Sequence, residues 1–187
     1  PLGATADLAT LPNPLTISPA VDGHGEWLNT SIYQFTPHED LLGGATYTVI
    51  VNAGLVAVSG ASLEEDYLWS FQTLAPEILY TYPVEGDRVP LDNAVNISFS
   101  QPMNQVATES AFKLLQNGDP VAGQFSWSND GKQLTFVPDT RLSIATTFQV
   151  IIDADLATGL GGATLRQGRN FTFQSMPLPY VEYTSPN

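Results

Sequence analysis

The sequence predicts an all-β chain of tandem sandwich units, the first of them truncated at its N-terminus, and three observations predict it. The chain matches itself at a spacing of about one hundred residues. Short segments alternate apolar and polar residues with the period of a strand, and no stretch carries the longer period of an extended amphipathic helix.

The repeat comes first, because it sets the organisation. Tyr33-Gln34-Phe35-Thr36-Pro37 aligns with Leu134-Thr135-Phe136-Val137-Pro138, an offset of 101 residues, and at the same offset Leu41 meets Leu142 and Thr46-Tyr47-Thr48-Val49-Ile50 meets Thr147-Phe148-Gln149-Val150-Ile151. One residue of slip later, Gly60, Leu63 and Trp69-Ser70-Phe71-Gln72-Thr73 fall against Gly162, Leu165 and Phe171-Thr172-Phe173-Gln174-Ser175. Ile78-Leu79-Tyr80-Thr81-Tyr82-Pro83 aligns in turn with Val181-Glu182-Tyr183-Thr184-Ser185-Pro186, so a third unit is expected to open at residue 180. At the other end Pro1-Leu2 aligns with Pro102-Met103, which leaves the first unit without a counterpart to residues 77–101. The expected division is a first domain over 1–76 lacking its first two strands, a complete domain over 77–179, and the start of a third repeat over 180–187, with a short linker near 74–77.

Within the complete unit, β-branched and aromatic residues recur at period two between Gly, Pro, Asn and Asp punctuation. Strands are expected at 78–82, 95–100, 111–115, 124–128, 133–137, 146–153 and 170–174. Val95, Ile97 and Phe99 alternate with Asn96, Ser98 and Ser100, and Phe148, Val150 and Ile152 likewise share one face, so these two faces should be core. Asn129-Asp130-Gly131 marks a hairpin, since such residues tolerate the positive φ of a tight turn. Residues 104–110 fit a turn or two of helix. Seven short strands in about 100 residues is the pattern of an immunoglobulin-like β-sandwich. The expected core fillers are Trp127, Phe136, Phe148, Phe171 and Phe173, and in the first unit Trp27, Phe35, Tyr47, Trp69 and Phe71.

Composition narrows the function classes. Of 187 residues 43% are hydrophobic, enough to build cores, and the formal net charge is −13. An acidic surface without a Lys/Arg cluster repels phosphate backbones and anionic lipid, so nucleic acid and direct membrane insertion are not expected as partners. There is no cysteine, which excludes disulfides, thiolate nucleophiles and thiolate-held zinc. No run approaches 18 apolar residues.

No catalytic residue, cofactor site or metal site is predicted. The acidic groups Glu64-Glu65-Asp66, His38-Glu39-Asp40 and Asp153-Ala154-Asp155 lack a full calcium-ligand spacing and read as charged turns, with Glu77 and Glu85 the better place for a cation. His24 and His38 are expected in Gly- and Pro-flanked loops with no nucleophile motif beside them. Gly43-Gly44 and Gly161-Gly162 lack the following Lys of a phosphate cradle and read as turns. Three Asn-x-Ser/Thr sequons, at Asn29, Asn96 and Asn170, carry no assigned role.

Tyr82-Pro83-Val84-Glu85-Gly86-Asp87-Arg88-Val89-Pro90, then Val95 to Met103, then 134–138 and 147–150, resemble the bacterial Ig-like repeat of S-layer-type proteins. Gly25 to Ser31 and Leu41 to Tyr47 are similar to the N-terminal region of bacterial α-2-macroglobulin-family proteins. The resemblance implies a non-catalytic spacer or presentation module of a larger extracellular or envelope protein of bacteria, in the narrower case a protease inhibitor whose reactive element lies elsewhere. The alternative is a module that binds protein or glycan through loops at one end of the sandwich. Expected partners are neighbouring Ig-like domains of the same parent chain, a protein partner, and a second copy that exchanges its tail, 180–187, into the open first unit. Because Phe136 sits at the centre of the repeated pattern, Phe136→Ala should cost roughly 3 to 5 kcal/mol of stability, read by urea denaturation.

Overall fold

Tertiary folding of alternating segments demands that each apolar face meet another layer, and two separate units do this in the computed structural model, which describes Leu2 and residues 8–177. The first unit spans Pro1–Leu74 and the second Ala75–Asn187. Residues 180–187, expected to open a third repeat, lie outside the described residues.

The first unit holds β1 (Leu15–Ser18), β2 (Gly23–Asn29), β3 (Ile32–Pro37), β4 (Thr46–Val51) and β5 (Tyr67–Gln72), with a 3-10 turn at Leu8–Thr10. β2 and β3 form an antiparallel hairpin, bulged between Trp27 and Asn29, and β1-β4-β5 form an antiparallel sheet. Tyr47 and Val49 of β4 point into the unit and are buried.

The second unit contains β6 (Ile78–Tyr82), β7 (Arg88–Val89), β8 (Val95–Phe99), α1 (Gln105–Ala111), β9 (Phe112–Gln116), β10 (Asp119–Pro120), β11 (Gly123–Trp127), β12 (Gln133–Pro138), β13 (Thr147–Ile152) and β14 (Arg169–Ser175). One sheet has the order β11-β12-β8-β6 and the other β10-β9-β13-β14-β7, antiparallel throughout except for β14 beside β7. The seven expected strands are present. The two-residue strands β7 and β10 are additional, too short to show any periodicity. Residues 104–110, expected to make a turn or two of helix, carry α1, whose start is fixed by the Asn104 side chain accepting from the Ala107 amide at 3.2 Å.

The inward faces are those the alternation marks. Val95, Ile97 and Phe99 of β8 and Phe148, Val150 and Ile152 of β13 are all buried in one cluster. Phe112, Phe125 and Phe136 pack with ring centroids 4.9 to 5.6 Å apart, and Phe148 stacks on Phe173 at 5.5 Å. The β11–β12 turn uses Gly131 at φ 65°, and the Ser128 amide donates to the Gln133 carbonyl at 3.0 Å.

Three local constructions occur at matching positions of both units. Tyr47 stacks on Phe71 at 5.6 Å and 23°, as Phe148 stacks on Phe173 at 5.5 Å and 17°. Gly23 lies against the Phe35 ring and Gly123 against the Phe136 ring, so closely that a Cβ on either glycine would overlap the ring. The hydroxyl of Thr73 donates to the Leu42 carbonyl and accepts from the Ala45 amide, and the hydroxyl of Ser175 does the same with the Ser143 carbonyl and the Thr146 amide. Each clamp ties the last strand of its unit to the turn before the preceding long strand.

The expectation for the first-unit core needs correction. Tyr47 is buried and Trp27 and Phe35 are half-buried, but Trp69 is 43% exposed and Phe71 40%, whereas their counterparts Phe171 and Phe173 are 8% and 1% exposed. In the second unit β7 lies along β14 and contributes fully buried Val89, while β8 adds three core residues. Among the described residues of the first unit no strand takes these places.

One buried group in the second unit is out of step with its surroundings: Thr108 of α1 is fully buried, and its Oγ1 has no hydrogen-bond partner among the described residues. Replacing that hydroxyl by a methyl of the same shape removes the desolvation cost while keeping the packing. Thr108→Val should therefore stabilise the chain by about 1 kcal/mol, measured as a raised urea midpoint with an unchanged slope.

Candidate functional site

Among the described residues of the first unit no strand lies where β8 lies in the second unit. There β8 pairs with β12 in the register Leu134 opposite Ile97 and Phe136 opposite Val95, and the Phe99 ring stacks on Trp127 at 6.1 Å. The chain then turns so that the Met103 amide donates to the Gly131 carbonyl at 3.0 Å.

In the first unit Leu2 occupies the Met103 place, its amide donating to the Thr30 carbonyl at 2.7 Å. Beside Leu2 there is a cavity of about 510 Å³, lined by Leu2, Leu15, Trp27, Tyr33, Val51 and Trp69 among others. Trp27 and Tyr33 meet edge to face at 5.3 Å. Both are anchored at their polar ends, the Trp27 indole donating to the Pro12 carbonyl at 2.9 Å and the Tyr33 hydroxyl to Asn13 Oδ1 at 3.0 Å. Beside the cavity β5 exposes Tyr67, Leu68, Trp69 and Phe71, with Tyr67 and Trp69 ring centroids 6.0 Å apart. Among the described strands, β3 has no neighbour on the side away from β2, and β5 has none on the side away from β4. No carboxylate, histidine, lysine or arginine lines the cavity. Its chemistry is that of apolar burial and backbone pairing.

The sequence analysis expected an open first unit but counted Trp69 and Phe71 among its core residues, and so did not mark the exposed rings of β5.

The acidic groups are held apart as loop braces. Asp66 accepts from the Ala53 amide at 2.7 Å, Glu64 from the Ser62 hydroxyl, and Asp153 from the Asp155 amide at 2.9 Å. Glu85 takes both the amide and the hydroxyl of Thr172 at 2.9 Å, and Glu77 pairs with Arg166. His38 contacts Asp22 at 3.2 Å. His24 lies in strand β2, not in a loop as expected, because the Gly residues around it are spaced by close contact with Phe35 and Tyr33 and do not break the strand. No group of three or more His, Cys, Asp or Glu able to hold a metal occurs among the described residues. Gly44 and Gly162 have φ of 73° and 85° and sit in turns.

The bacterial Ig-like domain family matches residues 74–175, more than half of the 187-residue chain. No curated protein matches the sequence. Among solved structures the chain is similar to L,D-transpeptidase 1 of Mycobacterium tuberculosis, at 19% identity and TM-score 0.38, over 54% of this chain and 39% of that one. It is also similar to CopC from Methylosinus trichosporium OB3b, at 14% identity and TM-score 0.45, over 57% and 98% of the two chains. The N-terminal part of the bacterial S-layer protein SbsC is similar at 14% identity and TM-score 0.40, over 55% and 24%. The chain spans 40% and 39% of the length of two transpeptidases that it matches. At these scores the structural likenesses carry no inference about activity or ligand.

One carboxylate, Asp130, is shifted by its bracing role. The Ser128 hydroxyl, and after it the Lys132 amide, hydrogen-bond to Asp130 and hold its pKa below the ordinary 3.8. A folded-state pKa below the unfolded one contributes stability that is present above the unfolded value and is lost as pH falls through the folded one. A carboxyl NMR titration should place the Asp130 midpoint below 3.8, and Ser128→Ala should move it upward.

Proposed function

The chain belongs to the bacterial Ig-like domain family, and from that premise we propose that it is a non-catalytic structural module of a larger bacterial extracellular or envelope protein. In this reading tandem Ig-like units extend or position a functional region that lies elsewhere, and their partners are neighbouring Ig-like domains of the same parent chain. The observation that carries the reading is the recurrence, at matching positions of the two units, of a ring stack, a glycine-on-ring contact and a hydroxyl clamp. All three are scaffold devices, and the acidic side chains beside them brace loops. No helix among the described residues is long and apolar enough to cross a membrane. The narrower expectation of an α-2-macroglobulin-family parent has no counterpart among the matches reported above, and the proposal rests on the Ig-like family alone.

A second reading, an adhesion module that binds protein or glycan, is favoured by the exposed Tyr67 and Trp69. These residues lie on a strand and not on the loops at one end of the sandwich, where recognition by Ig-like domains is usual. Incubation of the 187-residue chain with peptide, ester and glycoside substrates, together with a glycan array, separates the cases. The spacer reading expects neither turnover above buffer nor saturable glycan binding; either result would replace it.

A further inference from the structure

Resting on the Ig-like reading, we infer that the cavity lined by Arg166 and Arg169 in the second unit is a docking site for an acidic loop of a further Ig-like domain of the parent chain, of the kind that the first unit carries at Glu64-Glu65-Asp66. The loop is held by its carboxylates, which the guanidinium groups receive.

The cavity has a volume of about 330 Å³ and is lined by Glu77, Ile78, Arg166, Gln167 and Arg169, all of the second unit. Two of the six cationic side chains thus meet in one place, in a chain of formal charge −13. The backbone that carries them is fixed. The Arg166 amide donates to the Pro76 carbonyl at 2.8 Å, and Gly168 lies so close to the Ile152 carbonyl that a Cβ there would overlap it. The Glu77 amide donates to the Ser100 hydroxyl at 3.0 Å, and its carbonyl accepts from the Ser100 amide at 2.9 Å. Glu77 pairs with the Arg166 guanidinium, whereas Arg169, the first residue of β14, forms no salt bridge among the described residues. A guanidinium carries five N–H donors, so a single carboxylate partner leaves some of those on Arg166 for another acceptor.

The repeat itself supplies the complementary charge. At the offset of 102 residues that sets Leu63 against Leu165, Arg166-Gln167-Gly168-Arg169 falls against Glu64-Glu65-Asp66-Tyr67. The segment leading into the last strand therefore bears three carboxylates in one unit and two guanidinium groups in the other, and Glu64, Glu65 and Asp66 are exposed. Acidic domains repel one another as wholes, and opposite charge at matching segments gives them a point of attraction. Arginine suits the task, because its planar fork of N–H donors matches the two oxygens of a carboxylate. Glu77 stays in the cavity and leaves it one net positive charge, which suits a single carboxylate better than a phosphate dianion. The formal charge of −13 opposes the approach of a whole second copy, so the occupant is a loop of another domain.

The test adds a capped synthetic peptide with the sequence of residues 61–68 to the ¹⁵N-labelled 187-residue chain and follows the side-chain Nε–H signals of its arginines by NMR. Saturable shifts at Arg166 and Arg169 are the expected result, and they weaken as salt is raised. A peptide carrying Glu64→Gln, Glu65→Gln and Asp66→Asn should show no saturable shift. In the chain, Arg169→Gln should weaken binding of the acidic peptide about threefold to fivefold, the loss of one exposed ion pair, while Arg141→Gln leaves it unchanged. Arg169 is exposed at the end of a strand, and an unchanged urea midpoint checks that its replacement leaves the fold intact. Equal binding of the neutral peptide, or equal effects of Arg169→Gln and Arg141→Gln, would overturn the inference. So would saturation by acetate or inorganic phosphate at the concentration at which the peptide saturates, which would make the site one for free anions. A dimer in sedimentation that Arg169→Gln abolishes would overturn it as well, by making a second copy the occupant. None of these results alters turnover or glycan binding, on which the spacer reading stands or falls separately.

Discussion

A sheet with one apolar face is stable only when a second layer covers that face, and the two units differ in whether that cover is present among the described residues. In the second unit it is: Phe148 and Phe173 stack within β13 and β14, and β8 lies opposite with Val95, Ile97 and Phe99 all turned inward. In the first unit the same stack, Tyr47 on Phe71, forms within β4 and β5, but only Tyr47 is buried. One local construction thus yields a closed core in one unit and an exposed aromatic surface in the other. The difference is set by strands remote in sequence, not by the rings themselves.

The stack persists without its cover because other contacts fix its geometry. Antiparallel pairing of β4 with β5 sets Tyr47 directly opposite Phe71. The Thr73 hydroxyl then locks the end of β5 to the turn before β4 by accepting from Ala45 and donating to Leu42. Likewise Gly23 leaves room for the Phe35 ring to lie flat on the backbone of β2, which a side chain at that position would prevent. Small residues and hydroxyls hold the frame, so its shape does not depend on complete burial.

This division explains what the sequence disclosed. Alternation along 95–99 and 147–152 follows from which face is buried, so those strands and their inward residues were legible, as was the turn at Asp130-Gly131. β7 was not, since two residues carry no period, although its Val89 is fully buried against the core. Nor was the exposure of Trp69 and Phe71 legible from their own segment. An aromatic in a strand looks the same whether or not a neighbouring strand lies over it, and the information resides in the residues that would form that neighbour. His24 was misplaced for a related reason: glycines that flank it serve close ring contact and not a turn.

The acidic balance fits the same account. With 19 acidic residues against 6 basic ones, most carboxylates have no cation to pair with, and several of the described ones accept from backbone amides within their own loops. Asp66, Asp87 and Asp153 each satisfy an amide that a short interstrand connection would otherwise leave unpaired. Charge is thereby spent on the turns, while no carboxylate, histidine, lysine or arginine lines the first-unit cavity. A surface that is negative as a whole disfavours association of copies with each other.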